Sequence, residues 1–326
     1  MLSHGDRSGM RDALEIALAW HEAGRKMAIA TVVETWGSAP RPVGSRMVID
    51  AQGEMEGSVS GGCVEAAVVV EAMEVIATGE ARLLDYGVSD DDAFAVGLAC
   101  GGRIRVLVEV IPIAMLRALN AAKASRAPVA YVADLTGAAR HLAGVADYPE
   151  RFRDDRSGVE ADGRTFVAVQ NPSLRMVIVG AVHIAQPLVR MARDCGYLPI
   201  VVDPRSGFAS AARFPETQMM QDWPDVALDA IGLDARTCVV TLSHDPKIDD
   251  PALKAALRSD VFYIGALGSA RTHAKRVERL AAAGFETDQI RRVHGPIGLP
   301  LGGRHPAEIA VSIMAQVTQV LRANAS

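Results

Sequence analysis

The chain has 326 residues, a formal net charge of -5, 49% hydrophobic residues and 22% charged ones. That length exceeds what one hydrophobic core usually serves, so two domains are expected, and the composition is globular rather than disordered. The negative balance argues against nucleic acid, no stretch approaches the ~18 apolar residues of a membrane span, and Met1 to Met10 has no apolar export core, so a cytoplasmic protein is expected.

From Met10 to Gly24, Leu14, Ala17 and Leu18 recur at helical spacing, and Gly24 closes the segment. A buried strand is predicted over Met27 to Glu34, a Gly/Pro turn over Gly37 to Pro42, and a second strand over Met47 to Asp50. The small-residue loop Gly57 to Gly62 leads into helical character from Cys63 to Thr78, stopped by Gly79, and Arg103 to Val110 reads as a strand. Short strands are expected at Val129 to Asp134 and Thr165 to Gln170, with the charged stretch Pro149 to Gly163 an exposed hairpin or loop between them. Asn171-Pro172-Ser173 marks the domain boundary, giving an N-terminal mixed α/β domain over 1–172 and a second domain over 173–326.

Strand and helix alternate in the second half. Strands are predicted at Met176 to Val179, Pro199 to Val202, Thr237 to Leu242, Val261 to Ile264 and Arg291 to Val293. Helices are predicted at His183 to Cys195, Ala252 to Leu257, His273 to Ala283 and Pro306 to Leu321. Such alternation, with aromatics at only 5%, predicts a Rossmann-like doubly wound parallel sheet, the α/β class.

Ligands of such sheets sit beyond the carboxyl ends of the strands. Five segments fall there: Gly180 with His183; Asp203-Pro204-Arg205; Ser243-His244-Asp245; Gly265 to Gly268-Ser269; and His294 to Gly298. The first turn, Gly180 to Ala185, carries Val182 where a dinucleotide fold has a glycine, so it crowds an ordinary NAD(P) pose. Asp203, 23 positions after Gly180, is placed to bind ribose hydroxyls. A scaffold without cofactor stays open at this turn. His183 points at a ligand or caps its helix; His244 is oriented by Asp245, or Asp245-Pro246 merely begins a turn. Arg271, His273, Lys275, Arg276 and Arg279 read as a solvated basic face, with Arg271 near enough to Ser269 for phosphate contact.

The cysteines, Cys63, Cys100, Cys195 and Cys238, are far apart and form no CxxC, which removes a zinc ribbon or thioredoxin-type motif. Cys63, after Gly61 and Gly62, is expected in the first turn of a helix, where a thiol shifts toward thiolate and becomes a nucleophile or soft-metal ligand. Cys100, before Gly101 and Gly102, repeats the pairing of thiol and glycines, so the two could cradle molybdenum or a transferable sulfur. Burial as small hydrophobes is the alternative for both; Cys195, at a helix end, and Cys238, within an apolar strand, are expected to be structural.

These segments resemble the XdhC/CoxI family, accessory factors for xanthine dehydrogenase and related molybdenum hydroxylases. The likeness rests on Gly37-Ser-Ala-Pro-Arg41, Ser60-Gly-Gly-Cys63-Val-Glu65, Cys100-Gly-Gly102, Val201-Val-Asp-Pro-Arg205, Tyr263 to Ser269, Gly295 to Leu299 and Pro306 to Ile313. It implies binding of molybdenum cofactor (molybdopterin, or its cytosine dinucleotide form), sulfuration by a cysteine desulfurase, and delivery to a xanthine dehydrogenase-type hydroxylase. Carried over, Cys63 and Cys100 are candidate contacts to the metal, flanked by Gly61, Gly62 and Gly101. Gly180, His183, Asp203, Arg205, His244, Gly265, Gly268, Ser269 and Gly298 are candidate contacts to the rest of the cofactor. An NAD(P)-dependent oxidoreductase is the alternative suggested by the fold, and a thiol redox protein a third. A homodimer is expected because two-fold pairing is the commonest soluble assembly.

Overall fold

The computed structural model describes residues 12–37, 41–87, 102–208 and 210–323. The chain divides into two compact units, Met1–Pro172 and Ser173–Ser326.

In the first unit α1 (Ala13–Glu22) precedes β1 (Met27–Trp36), β2 (Arg46–Asp50), β3 (Met55–Gly57), α2 (Glu65–Thr78), β4 (Arg82–Tyr86), β5 (Arg103–Glu109) and α3 (Ile113–Ala124). Then come β6 (Val129–Asp134), β7 (Arg140–Ala143), α4 (Pro149–Asp154), β8 (Gly158–Val159) and β9 (Thr165–Gln170). The strands form two antiparallel sheets, ordered β3-β2-β1-β5-β4 and β7-β6-β9-β8. Successive side chains of a strand point to opposite faces. Met27, Ile29 and Val33 of β1 accordingly enter a core with α1, α3 and the second sheet, while Ala28, Ala30 and Val32 pack under α2. Burial on both faces is why β1 reads as an unbroken apolar run.

Pro149 to Gly163 is only in part the exposed hairpin or loop expected of it. Pro149 opens α4, and Phe152 is buried against Ala130, Val132, Ala143 and Val167. One buried aromatic anchors a segment whose other residues are charged, and β8 then pairs with β9.

In the second unit the order is β10 (Arg175–Val179), α5 (Ala185–Asp194), β11 (Leu198–Val202), β12 (Gln218–Met220), α6 (Pro224–Ile231), β13 (Thr237–Thr241) and α7 (Pro246–Leu257). It continues with β14 (Tyr263–Ala266), α8 (Ala270–Ala282), α9 (Thr287–Ile290), β15 (Val293–His294) and α10 (Pro306–Ala323). All six strands are parallel, in the order β12-β11-β10-β13-β14-β15. Met176, Ile178, Val201 and Val240 face a core shared with α5 and α10; Val177, Val179, Val202 and Val239 face one shared with α6 and α7. Strand order reverses between β10 and β13, which makes the ends of those strands the switch point where such sheets take their ligands. Among the described residues, no helix is long and apolar enough to cross a membrane.

Candidate functional site

In the first unit, the loop Ser58 to Val64 is organised by Glu65, the first residue of α2. Its Oε1 accepts hydrogen bonds from Ser58 Oγ (2.7 Å), Val59 N (3.1 Å) and Ser60 N (2.8 Å). Its Oε2 accepts from Ser60 Oγ, Gly62 N (2.9 Å) and Val64 N (3.2 Å). Burial pushes this carboxyl up, but the hydrogen bonds from Ser60 and Ser58 outweigh it and hold the pKa at about 2. Converging N–H groups at a helix start form an anion nest. Here the chain's own carboxylate fills it.

Gly61 (φ 79°) and Gly62 (φ 113°) adopt backbone angles that favour glycine, and they present Cys63 to solvent. A Cβ on Gly62 would meet nothing within 4 Å, so conformation rather than crowding calls for the glycine. The expected place of Cys63 in the first helical turn is corrected: the helix begins at Glu65 with Val64 as N-cap, and Cys63 precedes both. Glu65 takes the N-terminal role because its carboxylate, not the thiol, satisfies the loop's donors. Cys100 and Gly101 lie outside the described residues. Among the described residues no group of three or more His, Cys, Asp or Glu is arranged to hold a metal ion.

In the second unit, Gly180 (φ 104°) ends β10. A Cβ there would stand 2.8 Å from Ser243 N and 3.1 Å from Ser243 Cα, so the loops after β10 and β13 touch and only glycine fits. Ala181 N donates to Asp203 Oδ2 (2.8 Å); Arg205 N (3.0 Å) and Nε (2.9 Å) donate to Oδ1, and Arg205 Nη2 donates to Oδ2 (2.7 Å). Burial pushes Asp203 up, and Arg205 together with the Ala181 N–H more than offsets it, leaving the carboxyl below its usual range. Asp203 is 0% exposed. Its carboxylate, expected against ribose hydroxyls, is engaged within the protein and ties the β10 and β11 loops together. Arg205 also stacks on Phe208, 4.1 Å from the ring centre.

His183 is exposed, and it does not cap α5: the N-cap is Ile184, without a side-chain cap bond. Val182 is half-buried against the α5/α10 core. Asp245 is the N-cap of α7, accepting from Lys247 N (2.9 Å), and Pro246 is the first helical residue, so this pair begins a helix rather than the turn that was the plainer alternative. His244 is exposed with φ 61°.

The start of α7 and the side of α8 from Arg271 to Arg279 enclose a pocket of about 340 Å³, whose walls include His244, Asp249, Arg271, Lys275, Arg276 and Arg279. Ser269 caps α8, its Oγ accepting from Thr272 N (3.1 Å). Asp249 is buried and accepts from Ser243 Oγ (2.6 Å) and Ser243 N (3.3 Å); burial pushes its carboxyl up. Arg279 donates Nε (2.6 Å) and Nη2 (2.9 Å) to Asp250. Arg276 is only 2% exposed, which corrects the reading of α8 as a uniformly solvated basic face. Position 276 falls one turn before the buried Leu280, on the core-facing stripe, and that spacing is the sequence signal that marks it. Gly265 and Gly298 pack too closely for a side chain, with a Cβ 2.5 Å from Ile297 Cδ1 and 2.2 Å from Ser312 Oγ respectively. Gly268 likewise abuts Thr272, at 3.0 Å.

The antiparallel sheets of the first unit and the six-stranded parallel Rossmann-like sheet of the second make this an α/β protein. Residues 176–317 match the XdhC Rossmann domain, and residues 20–87 match the XdhC and CoxI family. The chain is 30% identical over 321 residues to the molybdenum cofactor insertion chaperone PaoD of Escherichia coli (strain K12), across 98% of this chain and 90% of that protein. It is 28% identical over 313 residues to a Bacillus subtilis (strain 168) protein named as a probable xanthine dehydrogenase subunit, across 89% of this chain and 92% of that one. A crystal structure described as a xanthine dehydrogenase from Bacillus halodurans shares the fold, with a TM-score of 0.60 at 24% identity over 96% of each chain. The chain belongs to the XdhC and CoxI family.

Proposed function

We propose that this protein is an accessory factor of molybdenum-enzyme maturation: it binds molybdenum cofactor, assists its sulfuration and delivers it to a xanthine dehydrogenase-type hydroxylase. The observation that carries this reading is likeness along nearly the whole chain to a relative named as a molybdenum cofactor insertion chaperone. Local geometry supports it. Cys63 is an exposed thiol on a loop fixed by the Glu65 hydrogen bonds, and a soft sulfur donor suits molybdenum or a transferable sulfur atom. A metal that arrives already chelated by its pterin needs few protein ligands, so one or two thiols suffice where a bare ion needs a full cage. Cys100 is proposed as the second thiol, and a cysteine desulfurase as the sulfur donor.

An NAD(P)-dependent oxidoreductase is less well supported. The carboxylate at Asp203 is already hydrogen-bonded to Ala181 and Arg205, and the turn before α5 carries Val182 in place of a glycine. Saturable quenching or enhancement of NADH fluorescence by the purified protein would revive it.

The test is to isolate the full chain from molybdenum-replete cells and quantify pterin and molybdenum. Both are expected to copurify. Cys63→Ser and Cys100→Ser are expected to lower retention with circular dichroism and melting temperature unchanged. Full retention in the double variant removes the thiols from the site; absence of pterin and metal from the wild-type protein overturns the carrier reading.

A further inference from the structure

Arg276 poses a problem that the protein itself does not solve. Its guanidinium is buried on the wall of the α7/α8 pocket, and Nη2 donates to Leu267 O (2.8 Å). Nε and Nη1 are buried without a hydrogen-bond partner. A buried guanidinium with unmet donors is among the costlier arrangements a fold can hold, and its planar fork matches a bidentate oxyanion better than any other ligand.

The surroundings favour the same chemistry. Arg271 and Lys275 stand on the same helix, exposed, with no ion pair among the described residues, and both line the pocket. Arg279 differs, since Asp250 neutralises it with two hydrogen bonds. Asp249 is the carboxylate on the wall; its Oδ1 is taken up by Ser243 and makes no hydrogen bond to Arg276. Three cations thus face one carboxylate. The pocket runs along α8 from Arg271 to Arg279, and only its Arg271 end lies in the first turn, where the helix dipole adds positive potential. It follows the carboxyl ends of β13 and β14, and its 340 Å³ sits at the small end of the roughly 300–1,000 Å³ typical of ligand sites.

We infer that this pocket binds the phosphate end of a ligand, a phosphate monoester or a diphosphate, with Arg276 as the buried fork and Arg271 and Lys275 as flanking charges. The inference rests on the side chains of the second unit and does not depend on the carrier reading.

Calorimetry on the full chain at fixed ionic strength tests it, with inorganic phosphate, inorganic pyrophosphate, a nucleoside 5′-monophosphate and a nucleoside diphosphate as probes. Pyrophosphate is expected to bind saturably, one per chain, more weakly as salt rises. The Arg271→Gln/Lys275→Gln variant is expected to bind about ten- to a hundredfold more weakly. Arg190→Gln, which removes an exposed charge on α5, is expected to bind like wild type. Arg276→Met is expected to abolish binding while the ligand-free melting temperature holds or rises, because an unmet buried charge is removed. Should that variant fail to fold, the double variant still decides the matter. Tighter binding of the nucleotides than of the inorganic ions assigns the site to a nucleotide phosphate; equal binding assigns it to the phosphate group alone. Absence of saturable binding of all four probes up to about 10 mM, or wild-type affinity in the double variant, overturns the inference.

Discussion

Replacing Glu65 with Gln tests whether its carboxylate holds the loop that presents Cys63. Glutamine keeps the shape but turns one acceptor oxygen into an NH2 group that faces N–H donors. The oxygens accept from Ser58, Val59, Ser60, Gly62 and Val64, and Glu65 is only 5% exposed. Each hydrogen bond to a buried charged group contributes about 1.5–3 kcal/mol, and the orphaned donors add a desolvation cost. The same hydrogen bonds lower the carboxyl from 4.5 to about 2, which corresponds to about 3 kcal/mol of pH-linked stability. Hydrogen exchange followed by mass spectrometry on peptides covering 58–75 reads this directly. At pH 7 the variant should exchange about a hundredfold faster there, the equivalent of about 3 kcal/mol. The sign of the pH dependence follows from the lowered pKa. The stabilisation is complete above the unfolded-state value and is lost as pH falls through the folded one. The gap in stability between wild type and variant should therefore narrow between pH 5 and pH 2. Unchanged protection in the variant, or a gap that ignores pH over that range, would refute the role given to Glu65.

Gly180→Ala combines an unfavourable φ with a Cβ 2.8 Å from Ser243 N, so a loss of about 2–4 kcal/mol is expected, seen as a lower urea midpoint for the second unit. Wild-type stability in that variant would show that the β10 and β13 loops do not need their close approach. In a Cys100→Ser background, Cys63 and Cys195 should react with a thiol reagent in the native state, whereas Cys238 should react only on unfolding. Cys238 is fully buried and burial pushes its thiol up, which suppresses the reactive thiolate.

Much of the second unit is legible in its sequence because parallel strands buried on both faces read as short apolar runs, and a helix separates each from the next except β11 from β12. Met176 to Val179 and Thr237 to Leu242 are found this way within a residue or two of β10 and β13. β12 and α6 are not: a strand of three residues carries no period to read. In the first unit Pro149 to Gly163 misleads because Phe152 alone outweighs its charged neighbours, and burial of one side chain leaves no pattern. Spacing also brings Cys63 near a helix start but cannot say which residue takes the first turn.

Hydrophobic periodicity and local motifs are properties of neighbours along the chain, so most of the strands and helices, and the family to which they point, can be read from residue order. Which polar groups are already satisfied emerges only when distant segments fold together. Glu65 fills a nest that its loop would otherwise offer to an anion, and Asp203 is held by Arg205 and Ala181. Arg276, on a helix that reads as a solvated basic face, is buried with donors to spare. Hydrogen-bond satisfaction is set by partners that the fold brings together from distant positions, and no pattern of adjacent residues records it.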